Sequence, residues 1–288
     1  MIFGLNVAPG VGPGADPVRD AVRAEALGFD FVSSNDHLHG DDPRHETWTM
    51  LSWMAAATSR IRLAPRVLAV PYRHPAVVAK MAETFDRLSG GRLILGLGGG
   101  YSDEEFAAFG LGVPTPRQKV DGMEEAIHIA RGLWSEPAFT FAGDRYRVHR
   151  ARIEPKPGHS IPIWLGTYGD RALEVTGRLA DGWIPTYELA LPDDVPAMRD
   201  RVMRAARDAG RDPDAITSVY NVDVRVDDGA DTPDFVISGS AAELAATLAG
   251  FARLGFDAMN FCPFGPAQDE QAELLARDVI PGIQAASS

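Results

Sequence analysis

Apolar positions along the chain switch repeatedly between two periods. "IFGLNV" (2–7) has the composition of a strand, and from Asp16 to Leu27 the residues Val18, Ala21, Val22, Ala24 and Leu27 recur at helical spacing, with Gly28 where a C-cap glycine belongs. The same alternation continues through strands at "FDFVSS" (29–34), "RIRLAPRVL" (60–68), "RLILGLG" (92–98), "IPIWLG" (161–166), "GWIPT" (182–186), "ITSVYNVDVRV" (216–226) and "FDAMNFC" (256–262). Helices are predicted over 46–58, 74–88, 117–134, 170–180, 193–210, 241–254 and 268–286, the sixth of these opening on a Ser-x-x-Glu capping box at Ser240 and Glu243. Residues 137–160, rich in Pro, Gly and His, break the pattern and predict a small loop or hairpin insertion.

Eight strands alternating with eight helices imply a parallel sheet, because each right-handed crossover needs a covering helix. A chain of 288 residues with that pattern and no evident linker predicts one α/β domain over 1–288, a closed (β/α)8 TIM barrel. In such a barrel the working groups lie where strands run into the following loops, so position after a strand becomes a functional criterion.

Composition narrows the partners. With 45% hydrophobic and 24% charged residues the chain is ordinary globular protein, and its net charge of −12 is spread without a basic tract to follow a phosphate backbone or an anionic membrane. Nucleic acid and membrane are therefore not expected as partners, whereas a small-molecule substrate is. Cys262 is the only cysteine, which excludes an internal disulfide and any cysteine-built metal cluster. That usage, a start without the character of an export signal, and no apolar run of spanning length predict a cytoplasmic setting.

"FVSSNDHLHG" (31–40) places Ser34, Asn35, Asp36, His37 and His39 just after the second strand. A carboxylate beside an imidazole suits acid–base chemistry near neutrality, although an ordinary polar loop has the same composition. His37-x-His39 has the spacing of a metal pair, but no histidine follows the last four strands to complete a site, and no metal is expected. Glycine collects at two other strand ends, "GLGGGYS" (96–102) and "GTYGDRA" (166–172), where bare backbone and a helix start suit an anion or a flat ring. The acidic run 103–105 reads as a solvated helix start, Trp53, Trp134, Trp164 and Trp183 as packing residues, and Cys262 as a small buried hydrophobe.

"HPAVVAKMAETFDRLSGGRLILGLGGGYSDEEF" (74–106), "IPIWLGTYGDRALEVTGRLADGWIP" (161–185) and the "NDH" at 35–37 resemble the luciferase-like monooxygenase family, in particular its branch that uses the deazaflavin coenzyme F420. The resemblance implies a hydride-transferring oxidoreductase, with an FMN-dependent monooxygenase fed by a reductase as the alternative and a non-catalytic cofactor carrier as a third reading. It implies a cis peptide between Arg66 and Val67 in a bulge, Arg66 to Ala69, behind the cofactor's central ring. Gly98, Gly99 and Gly100 would line the cofactor tail, and Gly166, Thr167, Gly169, Asp170 and Arg171 would hold its phosphate. Asp36 would contact the deazaflavin, and His37 would be the acid or base, making Asp36 and His37 the catalytic pair. It also implies a homodimer through the second and third helices, with Met50, Leu51, Trp53, Met54 and Ala82 at the contact. Tyr101 stands where the family's sugar-phosphate dehydrogenases carry glutamate, which argues against a sugar-phosphate substrate.

Overall fold

The alternation closes into a ring. In the computed structural model, which describes residues 1–227 and 231–286, β1 (Ile2–Asn6), α1 (Pro17–Leu27), β2 (Phe31–Ser34) and α2 (Thr47–Ala57) lead to a strand in two pieces, β3 (Arg62–Pro65) and β4 (Leu68–Ala69). α3 (Pro75–Ser89), β5 (Leu95–Gly98), the short α4 (Asp103–Ala108) and the long α5 (Pro116–Ser135) precede an antiparallel hairpin, β6 (Phe139–Ala142) and β7 (Arg147–Ala151). Then come β8 (Ile163–Leu165), α6 (Asp170–Leu179), β9 (Gly182–Trp183), α7 (Val195–Asp208), β10 (Thr217–Val226), β11 (Val236–Gly239), α8 (Ala241–Arg253) and β12 (Ala258–Pro263). The chain finishes in α9 (Gln268–Leu274), a π-helical turn over Leu275–Val279, and α10 (Ile280–Ala286).

Hydrogen-bonded neighbours run β3-β2-β1-β12-β10-β9-β8-β5-β4, every pair parallel. Because β3 and β4 are halves of one bent strand, and Leu63 bridges Leu93 at the entry to β5, the order returns on itself as a TIM barrel. The expected insertion is the β6–β7 hairpin. β9 is shorter than the run 182–186 suggests: Pro185 lacks an N–H, and only an isolated bridge between Thr186 and Asn221 continues the ladder. β11, which adds to the outer end of β10, was not anticipated.

Two large rings fill the barrel's lower interior. Phe31 and Trp164 meet edge to face at 5.5 Å between centroids, in a layer completed by Ala64, Ile94, Ile184, Val219 and Ala258. Facing glycines make their room: a Cβ on Gly4 would lie 2.2 Å from the Phe31 ring, and one on Gly182 would lie 2.3 Å from Trp164. Above this plug runs a buried polar rung. Asn260 Nδ2 donates to Ser33 Oγ (2.8 Å) and Asn221 Oδ1 (2.8 Å), while Asn221 Nδ2 donates to the Pro185 carbonyl (3.0 Å), joining four strand ends in one satisfied network. The interior of the barrel is thus filled by packed rings and a polar rung.

Four of the five dimer contacts expected on α2 and α3 require correction, all but Trp53. Met50, Leu51, Met54 and Ala82 are buried against the barrel's own core, because their helical spacing turns them toward the sheet. Trp53, expected to pack, lies on the opposite side of α2 and is 69% exposed. Trp164 and Trp183 are buried as expected.

The peptide Arg66–Val67 is cis and sits between β3 and β4. Its bulge leans on β5, where a Cβ on Gly96 would stand 1.9 Å from the Pro65 carbonyl oxygen and one on Gly98 would stand 2.5 Å from Val67 Cγ2. Since backbone cannot yield as a side-chain tip can, Gly96→Ala should cost about 3 kcal/mol in urea unfolding, at the severe end of overpacking. Gly158→Ala, which meets nothing within 4 Å, should leave the midpoint unchanged.

Candidate active site

The site starts from the bulge. Val67 projects over the glycines of β5 and β8, lying 2.5 Å from a Cβ placed on Gly98 and 3.4 Å from one placed on Gly166. The glycine-rich strand ends therefore make room for the protein's own bulge as well as for a ligand. Gly99 packs against Lys119, and Gly100 turns at φ +88°, a conformation that favours glycine, beneath Phe106.

Asp36 fastens this bulge to the loop after β2. Its carboxylate accepts Ala69 N (3.1 Å) and both Arg73 amino groups (2.8 and 3.0 Å), while Arg73 also binds Glu46. The Asp36 side chain is 0% exposed. Both oxygens are thus engaged within the protein, and the bonds tie Ala69 and Arg73 to the loop after β2.

His37, one residue on, is 35% exposed and places Nδ1 2.8 Å from Glu105 Oε1. Glu105 was expected among solvated acids at a helix start. Instead its side chain is 6% exposed, and its other oxygen accepts the Tyr72 hydroxyl and, at 3.4 Å, Leu38 N. Burial works against the charge of Glu105, but the bonds from Tyr72, His37 and Leu38 outweigh it and hold its pKa below the usual value of 4.5. The Tyr72 hydroxyl is pushed up by burial and by the same carboxylate. With Glu105 ionised, His37 Nδ1 must donate to it, which leaves Nε2 as the nitrogen that can exchange a proton with a ligand. Asn35 Oδ1, two residues earlier in the chain, is buried with no partner among the described residues.

Across the mouth, Arg66 donates from Nε to Asn6 Oδ1 (3.2 Å). Asp223 and Cys262 occupy paired positions on β10 and β12. Burial raises the Asp223 carboxyl above its usual range, Arg66 opposes that, and Glu188 adds to it. Burial pushes the Cys262 thiol up to about 12, as suits an inert packing residue.

Beside the bulge opens a cleft of about 840 Å³, lined by Gly99, Arg117, Lys119, Gly166, Thr167 and the segment 168–172. Gly169 caps α6 without a side-chain bond, so the first amides of a 10-residue helix point unclaimed into it. Thr167 is buried against Thr176 (2.7 Å), Asp170 pairs with Arg201 (3.0 Å), and Arg171 pairs with Asp121. Lys119, which sequence reading passed over, lies in the wall and also reaches Asp103 (2.7 Å).

The expected segments therefore gather at one mouth: the loops after β2, β4, β5 and β8 adjoin, with Glu105 joining the second strand's loop to the fifth's. Glu105 and Tyr72 were not anticipated. The signal in sequence, Ser102 three residues before Glu105, suggests a capping box; Ser102 does accept Glu105 N (3.4 Å), but the Glu105 side chain goes to His37 instead.

Comparison with known proteins agrees with this geometry. The sequence profile of the luciferase-like monooxygenase family matches residues 4–234. An F420-dependent glucose-6-phosphate dehydrogenase of Intrasporangium calvum is 37% identical over 202 residues, 66% of this chain, which spans 60% of that relative's length. The Kineococcus radiotolerans protein of the same name is 28% identical, with 91% of this chain and 90% of the relative aligned. Among solved structures, an F420-dependent secondary alcohol dehydrogenase in complex with an F420-acetone adduct superposes with a TM-score of 0.88 at 20% identity, covering 98% of this chain and 99% of that one. With a profile match over most of its length and a shared barrel, this chain belongs to the luciferase-like monooxygenase family.

Proposed function

We propose that the protein is a coenzyme F420-dependent oxidoreductase, moving a hydride between the deazaflavin and a small organic substrate at the carboxyl-terminal mouth of the barrel. The observation that carries this reading is His37, held at Nδ1 by the buried Glu105 where the loops after β2 and β5 meet, with a cleft lined by Gly99, Lys119 and the start of α6 opening at the ends of β5 and β8. The residues present fit that cofactor: unclaimed amides at the start of α6 with Lys119 and Arg117 suit its phosphate, and the Val67 bulge offers a flat apolar backing for its ring. When bound, the deazaflavin supplies two-electron hydride exchange and, with carbon in place of the flavin N5, little oxygen chemistry. In this reading Gly98, Gly99 and Gly100 border the tail, Gly166, Thr167, Gly169, Asp170 and Arg171 form the phosphate end, and Arg66, Val67 and Ala69 form the backing. His37 Nε2 takes or gives the substrate proton, Glu105 fixes the tautomer, and Asp36 holds the backing in place through Ala69 and Arg73.

Anaerobic titration should show tight retention of F420, weak retention of FMN, and no oxygen consumption in turnover; tight FMN binding with oxygen uptake would replace this reading by the FMN monooxygenase. His37→Ala should lower kcat by about 10²- to 10⁴-fold while F420 affinity stays within about threefold. Glu105→Gln should lower kcat by about 10- to 100-fold by loosening the imidazole. Because folding lowers the Glu105 pKa, its contribution to stability is complete above the ordinary value of 4.5 and is lost as pH falls through the lowered value. Thermal unfolding against pH should therefore show Glu105→Gln less stable than wild type at neutrality and converging with it in acid.

A homodimer belongs to the same proposal. A groove of about 660 Å³ between α2, α3 and the hairpin is lined by Trp48, Val77, Met81, Phe85 and Leu88, and both Val77 and Leu88 are exposed beside it. Light scattering should give twice the chain mass, and Leu88→Glu should halve it; a wild-type monomer would remove the dimer.

A further inference from the structure

One layer above the polar rung, the barrel's interior holds opposite charges that do not meet. Side chains two apart on a strand share a face, so Asp223 follows the rung's Asn221 into the interior, Cys262 follows Asn260, and Arg66 follows Ala64 of the ring layer below. Arg66 is anchored by its side chain at one atom only, donating from Nε to Asn6 Oδ1 at 3.2 Å. Its two amino groups bond nothing among the described residues, and neither does the Asp223 carboxylate. The two are nevertheless within electrostatic reach, because Arg66 opposes the rise that burial gives the Asp223 carboxyl. Glu188, exposed in the helical turn after β9, also acts on Asp223 and has no ion pair among the described residues.

Other arginines near the mouth are matched at close range, Arg73 by Asp36 and Arg225 by Asp227, each at 2.8 Å. A guanidinium and a carboxylate held apart forgo the charge-assisted hydrogen bonds of contact, and their withdrawal from water makes that loss count. The gap between them suits a ligand that brings an acceptor to one and a donor to the other. A carboxylate alone would answer Arg66 but meet Asp223 and Glu188 with like charge, and an amine alone would answer Asp223 but meet Arg66 with like charge. A zwitterion answers both and leaves the net charge of the mouth unchanged. The planar guanidinium in addition receives a carboxylate through two parallel N–H···O bonds.

From this unmet pair we infer that Arg66 and Asp223 are specificity-determining residues that receive the zwitterionic head of an amino-acid substrate, its carboxylate on the free amino groups of Arg66 and its ammonium on Asp223. This rests on the oxidoreductase reading above and names the group by which its substrate is recognised. Only the side chain of Arg66 is used. Its backbone stays in the bulge that backs the ring, while the bond from Nε to Asn6 carries the guanidinium across to β1. Neither residue takes part in the hydride step, which stays with the deazaflavin and His37 of that reading.

The test is calorimetric titration of the F420-loaded protein with norvaline, valerate and butylamine, three probes of matched chain that carry both charges, the anion alone and the cation alone. Norvaline should bind at least about tenfold more tightly than either of the others. Arg66→Gln should weaken norvaline and valerate by about 10- to 100-fold, the worth of hydrogen bonds to a charged group, and leave butylamine bound no more weakly. Arg66→Lys, which keeps the charge and loses the fork, should fall between wild type and Arg66→Gln. Asp223→Asn should weaken norvaline and butylamine by a similar factor and leave valerate bound no more weakly. Norvaline bound no better than valerate and butylamine, or no binding of any of the three, would overturn the inference while leaving the hydride-transfer reading intact. An Arg66→Gln protein that loses F420 as strongly as norvaline would assign the guanidinium to the cofactor and overturn it as well. Failure of the wild-type protein to retain F420 would instead overturn the earlier reading, and the same three titrations into the cofactor-free protein would then decide this inference on its own.

Discussion

A carboxylate withdrawn from water must be given partners, and Glu105 collects its partners from two strand ends other than its own. Its own short helix follows β5, Tyr72 follows β4, and His37 with Leu38 follows β2. Removing one of these donors would weaken the compensation of a buried charge, and the bonds, together with the buried Phe106 packed on the Tyr72 ring, hold the three loops in one arrangement. The imidazole inherits its orientation from that constraint. Asp36 repeats the device one layer deeper, using Arg73 and the Ala69 amide to pin the bulge whose Val67 forms the wall of the mouth. Two buried carboxylates, two residues of one sequence motif, and one bulge thus set the geometry on which the chemistry depends.

The barrel was largely legible because parallel strands buried on both faces leave nearly continuous apolar runs, and covering helices leave a 3.6-residue period. Where reading failed, a local rule had been overruled by something distant. β9 ended early because Pro185 cannot donate to its neighbour, and α2 showed Trp53 to solvent because its buried stripe was already filled by Met50, Leu51 and Met54. The dimer contacts were misplaced for the same reason, since a helix that is apolar nearly all round does not declare its inner face in sequence.

The site was legible in its positions and less so in its roles. His37 and the glycine-rich ends could be found because each follows a strand in a fold that puts function there. Glu105 could not, since its partner lies 68 positions away and its local context matches an ordinary helix cap. The glycines carried a double meaning as well. Gly96 and Gly98 are required by Pro65 and Val67, which no pattern of glycine alone distinguishes from a phosphate loop. Backbone amides and the basic side chains of Arg117 and Lys119 gather at the cleft by α6.

The most direct measurement is a crystal structure of the protein with F420 bound. The account predicts the deazaflavin ring against Val67, its phosphate on the first amides of α6, and His37 still bonded to Glu105 through Nδ1 with Nε2 turned toward the ring. A ring bound elsewhere on the barrel, or a His37 that has left Glu105 and points away from the cofactor, would contradict it.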